Sequence, residues 1–539
     1  MLNIIDKTIG EIFNEAVDLW PEQLFFISPK TKKKPICQTS YRQALFEVNN
    51  YKEKFIKAGY GYGQRIALLL GNRIDHYLIK LAVNNLGISV VPINPDLSPN
   101  EILYILDDSK TILTITDQIY LPLIKDVNKI ALRAVNFYNI DNVTQPFPTH
   151  ENTTFTKNVM PSSEASLLYT SGTTGNPKGC ILSHEYELMC GDSYRSLGPP
   201  VQLKINKDRI FNPLPSFHVN AGVLTFFASI LTGNCLIQPT RFSASSWWRD
   251  IEESKATVFH YLGVIIAVIL KKRKENKADL SSIRVGLGAG IEPALHQEFE
   301  EHFQIPLIEV WGMTEMCRII SVTAEPRLIH TRAMGRPRHN LDIRVVDEND
   351  RDVPTGMQGE MILRHSDVFP RKGAFSGYLG DKELTEFAWR GGWFHTGDTV
   401  IMDETKMLYF IDRKKNIIRR SGENIAAAEI EDCILEHNLV FSVACLAIPD
   451  EVREEEILAC IVLTDKNYKS YESAHNIFKH VYNKLAYFKA PGWILFVKTL
   501  PTTGTQKILK HKIFPNNENP TKKPGMFDFR KLKLRKNQN

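Results

Sequence analysis

From residue 65 onward, short apolar runs alternate with segments whose apolar residues recur at helical spacing. Arg65–Leu70 and Ile88–Ile93 are continuous apolar runs, as expected of strands buried on both faces. Between them, Asp75–Leu86 carries the helical period. Ser98-Pro99-Asn100-Glu101 is a capping box with Pro at the first helical position, so a helix opens there and runs to about Asp108. Thr111–Thr116 reads as the next strand. The order β-α-β-α-β predicts a parallel sheet covered by helices. Residues 1 to about 60 mix helical patches with a short hairpin near Pro35 to Thr39. Residues from about 118 to 160 are polar and less regular, and read as a connection.

The same rhythm resumes further on. Strands are expected at Ile210–Leu214, Cys235–Gln238, Thr257–Leu262, Ile283–Leu287 and Leu307–Trp311. Helices are expected at Ala221–Leu231, Ser245–Ser254, Val264–Lys272 and Pro293–Phe303. This makes an α/β protein with two doubly wound sheet layers. From Gly335 to about Val400, short strands such as Leu341–Val346 and Gly359–Leu363 alternate with Gly/Pro turns, which predicts a small β-rich subdomain. After the basic run Asp412–Asn416 the pattern becomes α+β: helix Ala427–His437, strands Val443–Ala447 and Leu458–Leu463, helix Ser473–Leu485 and strand Ile494–Val497. A boundary near residue 412 divides an N-terminal core, 1–411, from a smaller mobile unit, 412–539.

Length and composition narrow this picture. At 539 residues the chain is too long for one core. Hydrophobic content of 43% and charged content of 24% are those of an ordinary globular protein. A net charge of +5, from 66 basic and 61 acidic residues, makes no case for nucleic acid. The excess is partly local: the tail from Thr521 to Asn539 holds Lys522, Lys523, Arg530, Lys531, Lys533, Arg535 and Lys536 against Asp528. Such a tail is expected to be solvated, and is compatible with weak contact to anionic lipid or an anionic cofactor. Cys37, Cys180, Cys190, Cys235, Cys317, Cys433, Cys445 and Cys460 form no CxxC pair, so neither zinc nor a disulfide framework is indicated and a reducing compartment fits. The N-terminus shows no basic region ahead of an apolar block, so no signal peptide is expected and the cytoplasm is the expected location. The longest apolar stretch, Ala221–Ile237, is broken by Gly233-Asn234 and reads as a buried helix followed by a strand.

Five stretches carry candidate chemistry. Tyr169–Gly179 reads Tyr-Thr-Ser-Gly-Thr-Thr-Gly-Asn-Pro-Lys-Gly. Its glycines free backbone amides to face an anion, its hydroxyls add donors, and Lys178 adds positive charge, so the loop is suited to phosphate. It is not a Walker A loop, because Lys178 is followed by Gly179. Gly286-Leu-Gly288-Ala-Gly290 follows a strand and precedes a helix, where small residues admit a flat ring. A dinucleotide-binding dehydrogenase with Glu309 on the ribose is the rival reading there, and it fails because the fingerprint needs Gly where the chain has Ile291. Val310-Trp311-Gly312-Met313-Thr314-Glu315 places Thr314 and Glu315 at a strand's carboxyl end; beside a phosphate loop, Glu315 is a candidate Mg²⁺ ligand. Trp393–Asp398 sets a carboxylate after a Gly turn, able to accept two ribose hydroxyls. Pro501–Lys507 closes the series with a Lys after a small-residue loop.

Taken in this order, these stretches closely resemble the adenylate-forming superfamily of acyl-CoA synthetases, luciferases and peptide-synthetase adenylation domains, from about residue 10 to residue 515. The resemblance implies a two-step reaction: a carboxylate attacks the α-phosphate of ATP, giving acyl-adenylate and pyrophosphate, and a thiol, usually that of coenzyme A, then displaces AMP. It implies that Thr170, Ser171, Gly172, Thr173, Thr174, Gly175 and Lys178 hold the β- and γ-phosphates. By the same resemblance Gly288, Ala289, Gly290, Val310, Trp311 and Gly312 line the adenine site, Thr314 contacts the α-phosphate, Glu315 helps bind Mg²⁺, and Asp398 and Arg413 hold the ribose. Lys507 would bridge carboxylate and α-phosphate in the first step. Lys415 would be the hinge, and Arg419 sits where members often carry a Lys used in the second step. His218, in Pro215-Ser-Phe-His-Val, matches an aromatic gate at the acyl pocket; a packed core histidine is the alternative.

Two positions depart from the family pattern. Gln506 precedes Lys507 where Gly is usual, and Ser421–Glu429 lacks a Pro that many members carry before Ala-Glu. Gly422-Glu423-Asn424-Ile425, Ala447–Glu454 and Phe242–Trp248 resemble stand-alone CoA ligases, nearest the crotonobetaine/carnitine–CoA and fatty-acyl ligases. An aromatic cage for a quaternary ammonium would draw on Phe217, Phe226, Trp247 and Tyr261, although aromatics on such elements are more often core. The expected function is an ATP-dependent acid–thiol ligase using a small-molecule carboxylate, ATP, Mg²⁺ and CoA, with a homodimer compatible. An acyl-adenylate transferase loading a separate carrier protein is the alternative. A catalytically silent nucleotide- or acyl-binding protein is the alternative from another class.

Overall fold

The computed structural model describes residues 2–32, 34–142, 144, 146–150, 157–170, 177–272, 278–291, 293–323, 325–413, 417–501, 510, 513–514 and 520–534. The expected α/β architecture is what forms. One sheet has seven strands, in the order Gly377–Tyr378, Lys178–Ser183, Glu164–Thr170, Ser89–Pro92, Arg65–Leu69, Leu113–Thr116 and Phe137–Asn139. Its pairs are parallel from Glu164–Thr170 onward and antiparallel before it. The last two elements of this layer correct the reading of 118–160 as a plain connection: a helix, Leu121–Ile130, precedes the edge strand Phe137–Asn139. That helix buries only Ile124 and Val127, too narrow a stripe for the apolar pattern to announce.

The second sheet has eight strands, in the order Met316–Ser321, Leu307–Met313, Val285–Ala289, Val258–Leu262, Arg209–Phe211, Cys235–Ile237, Leu24–Ser28 and Cys37–Ser40. Its inner strands are parallel and both edges antiparallel. Helices Ile74–Asn84 and His184–Arg195 bury most of their residues in the core common to these layers. The pattern gave no warning of His184–Arg195, because its polar side chains are paired indoors. Glu187 meets Lys80 at 2.8 Å with both side chains almost wholly buried, and Ser183 caps the helix by accepting from the Tyr186 amide. The apolar stretch after Ala221 is a π-helix, Asn220–Thr225, running into Phe226–Thr232. It stops at Gly233, whose φ of 64° is left-handed and where a Cβ would lie 2.4 Å from the Trp20 ring. Among the described residues no helix is long and apolar enough to cross a membrane.

The β-rich region is a five-stranded antiparallel sheet, Ala333–Gly335, Leu408–Arg413, Phe394–Met402, Gln358–Arg364 and Asp342–Val346. Gly377–Tyr378 leaves it to pair with Lys178–Ser183. The C-terminal unit sets helices Ala427–Leu435 and Tyr471–Lys484 against a mixed sheet, with a core of its own running from Ile418 to Phe529.

The basic tail is a correction. Part of its described length is anchored rather than solvated. Met526–Asp528 adds an antiparallel strand beside Trp493–Phe496, and Phe529 is fully buried in the core. Arg530 pairs with Asp528 at 2.7 Å and with Asp450 at 3.3 Å, and buried Lys533 pairs with Glu456. Arg530 and Lys533 are thus matched by internal acids, while Lys531 is exposed.

Candidate active site

The strand Leu307–Met313 organises the site. Residues two apart on a strand share a face, and its successive side chains each meet a different partner. Glu309 lies opposite Gly288 in the neighbouring strand. Its Oε1 accepts from the Tyr261 hydroxyl at 2.7 Å and its Oε2 from the Gly290 amide at 2.9 Å. Burial pushes this carboxyl up to about 7, against the pull of those donors. The Gly288–Gly290 turn is thus pinned from beneath. A Cβ on Gly288 would sit 2.3 Å from the Tyr261 carbonyl oxygen, whereas one on Gly290, at φ 75°, would meet nothing within 4 Å. Gly288 serves close packing and Gly290 serves backbone freedom beside open space.

Two residues further on, the Trp311 indole N–H donates to Asp398 Oδ2 at 2.8 Å. Asp398 is 1% exposed and stands opposite Arg413 in the antiparallel pair formed by Phe394–Met402 and Leu408–Arg413. Two acids of the β-rich sheet and the eight-stranded sheet are thereby fixed along one strand. Val310 is nearly buried and Gly312 exposed.

At the end of the strand the chain turns back into Met316–Ser321, and Thr314 and Glu315 form the turn. The Thr314 carbonyl accepts from the Tyr186 hydroxyl at 2.7 Å. Glu315 Oε1 accepts from the Tyr378 hydroxyl at 3.0 Å. Burial, with the Glu315 charge next, holds the Tyr378 phenol above its usual range, so it stays a donor. The Lys178 ammonium lies 5.7 Å above the Tyr378 ring. Lys178 and Thr170 face each other across an antiparallel pair, at the mouth of the Gly/Thr loop. Ser171, Gly172, Thr173, Thr174 and Gly175 fall outside the described residues, as do Lys415 and Lys507.

His218 is not a packed core residue: its side chain is 42% exposed and its Nε2 lies 3.8 Å from Glu423 Oε2. Glu423 Oε1 also accepts from Asn94 Nδ2 at 3.3 Å. Arg419 sits on the hairpin that carries Glu423, with its guanidinium 4.8 Å over the Phe410 ring. The cage candidates divide. Phe226 packs on Tyr77, Trp247 on Phe211, and Tyr261 holds Glu309, all buried in the core, while only Phe217 lies beside His218.

Sequence reasoning missed Tyr186 and Tyr378, since a lone Tyr carries no spacing signal. It noted Glu423 without a contact, and Glu309 only within the rejected dehydrogenase reading.

The donor set suits a nucleotide: an ammonium and an acid on either side of Tyr378, and a second acid fixed by the indole. Among the described residues no group of three or more His, Cys, Asp or Glu could hold a metal ion. A Mg²⁺ ion here would draw on Glu315 together with phosphate oxygens, a mode this ion uses.

The AMP-binding enzyme family model matches residues 13–379, and that of the AMP-binding enzyme C-terminal domain matches residues 429–507. The chain is 27% identical over 497 residues to a crotonobetaine/carnitine–CoA ligase of Citrobacter koseri, covering 89% of this chain and 93% of the other. It is 28% identical over 528 residues to a sulfoacetate–CoA ligase of Cupriavidus necator, covering 94% of this chain and 99% of the other. Among solved structures, o-succinylbenzoate CoA synthetase from Bacillus subtilis, bound with a product analogue, superposes with a TM-score of 0.81 at 23% identity, covering 95% of this chain and 99% of that one. With a family match over most of its length and the fold to go with it, the chain belongs to the AMP-binding enzymes of the adenylate-forming superfamily.

Proposed function

We propose that this protein is an ATP-dependent acid–thiol ligase of the acyl-CoA synthetase type. It joins a carboxylate to AMP with release of pyrophosphate, then transfers the acyl group to the thiol of CoA with release of AMP. The observation that carries this reading is the line of contacts along Leu307–Met313, which joins Gly288–Gly290, Asp398 and Glu315 into one site beside Lys178.

In the first step Lys178 and the Gly/Thr loop steady the departing pyrophosphate, and Asp398, with Arg413, accepts and orients the ribose. Thr314 and Lys507 meet the α-phosphate, where Lys507 also orients the attacking carboxylate. Glu315, kept in place by Tyr378, would hold Mg²⁺ together with phosphate oxygens, and the ion would offset phosphate charge. The contribution is positioning and charge stabilisation. His218 acts as the aromatic gate at the acyl pocket, and in the second step Arg419 acts where members often carry a Lys. The boundary near residue 412 and the hinge at Lys415 let the C-terminal unit serve both steps.

The relatives' printed substrates, crotonobetaine or carnitine and sulfoacetate, are short charged acids and support a polar carboxylate. With Phe226, Trp247 and Tyr261 committed to the core, an aromatic cage is not the feature that would select it. The test is a panel of short, sulfonated, betaine-like, aromatic and long-chain acids scored for CoA-dependent AMP release. AMP release that needs a carrier protein and ignores free CoA would favour the transferase reading. No ATP–pyrophosphate exchange with any acid would refute adenylation.

A further inference from the structure

Among the described residues the C-terminal unit meets the large region at several places, including His218 and Lys271, and one of them is the short segment Asn94–Glu101. Asn94 binds Glu423, and Leu97 packs against the C-terminal core. The Ser98 hydroxyl donates to the Lys484 carbonyl at 2.5 Å. Next to it, Lys489 lies between two carboxylates, Glu101 of the large region at 2.5 Å and Glu429 of the C-terminal unit at 2.7 Å. Side-chain exposures of 8%, 6% and 11% for Lys489, Glu101 and Glu429 make this a buried charge cluster at a junction.

A buried ion pair that loses one partner leaves an uncompensated charge, which ordinarily makes such a contact permanent. Here each half keeps a partner when the two separate. Glu101 Oε2 already accepts from the Ser98 amide at 2.8 Å in its capping box, and its carboxylate would regain water. Lys489 retains Glu429, which travels with it. We propose that Glu101, Lys489 and Glu429 form a releasable latch that positions the C-terminal unit, with Glu423 at His218, for thioester formation. The inference rests on the acid–thiol ligase reading, and Glu101 acts through placement rather than on substrate. On that reading, in which Arg419 serves the second step, the hairpin that brings Glu423 to His218 and carries Arg419 ties this arrangement to thioester formation.

The test uses the full chain carrying Glu101→Gln, which keeps the cap and removes the charge. Amide hydrogen exchange over residues 484–490, read without substrate, should quicken by about tenfold. The rate of thioester formation from free CoA and the pre-made adenylate of the best acid in the panel should fall by about tenfold, while ATP–pyrophosphate exchange stays within about twofold. Glu101→Asp, which keeps the charge one methylene back, should show a smaller loss of the same kind and carries the test if the Gln variant does not fold. Unchanged amide exchange, or equal slowing of both half-reactions, would overturn the latch. A wild-type chain that forms no thioester would refute the ligase reading and the latch's role in it, with the amide exchange still deciding the contact.

Discussion

Replacing Trp311 with Phe tests whether the nucleotide is held through Asp398. Phe keeps a flat ring in the site and deletes the indole N–H, whose 2.8 Å bond reaches a carboxylate only 1% exposed. A hydrogen bond to a charged group contributes about 1.5–3 kcal/mol, equivalent to about tenfold to about a hundredfold in an equilibrium constant. Part of this appears as lost stability, since the acid is left short of a donor. The rest appears in ATP binding, because a carboxylate that has lost the indole contact is less well placed to accept the ribose hydroxyls in the proposed function. The KM for ATP in ATP–pyrophosphate exchange should therefore rise by about tenfold, with a smaller change in the KM for the acid. The decisive measurement is the double-mutant cycle with Asp398→Asn. If the indole acts through the acid, Trp311→Phe should have little further effect in that background. Additivity of the two changes to within about 0.5 kcal/mol would refute the reasoning and leave Trp311 a packing residue.

Gly288→Ala should cost several kcal/mol of stability, or abolish folding, because its Cβ would lie 2.3 Å from a backbone oxygen; a denaturant midpoint equal to that of the wild type would contradict this. Lys507→Ala should lower adenylation by about a hundredfold or more yet leave pre-made acyl-adenylate able to react with CoA, and equal loss of both steps would sink its assigned role. Glu309, raised to about 7 from an ordinary 4.5, binds a proton more readily in the folded chain. Its stabilising effect is present below the unfolded value and is lost as pH rises through about 7, a swing of about 3 kcal/mol. Urea unfolding of the wild type and Glu309→Gln at about pH 5 and about pH 8 should thus show the variant gaining relative stability at the higher pH; parallel behaviour would contradict the burial argument.

The chemistry was legible where it lies in one run of residues. The composition of Tyr169–Gly179 alone gives the expectation of a phosphate loop, and Ser98–Glu101 announces a helix start that the structure contains. What stayed hidden depends on partners distant in the chain. Thr-Gly-Asp is a common turn until Trp311, 87 residues away, is seen to grip Asp398. The helix His184–Arg195 hides because Lys80 neutralises Glu187 indoors, which a hydropathy pattern scores as polar surface. The tail misleads in the opposite sense: its lysines and arginines look solvated, yet Asp450 and Glu456 take up two of them and Phe529 anchors the segment. In each case the deciding term is a long-range pairing, which local periodicity does not encode.

The strand Leu307–Met313 also determines which kinds of genetic change the site can absorb. Its side chains meet their partners by alternation, so a substitution disturbs one contact while its neighbours keep theirs. An insertion or deletion of a single residue would turn Glu309, Trp311 and the approach to Glu315 to the opposite face together. Libraries that vary length should therefore spare this strand, while the polar stretch after Asn139, with exposed loop positions, can change size with the reading frame of the site intact.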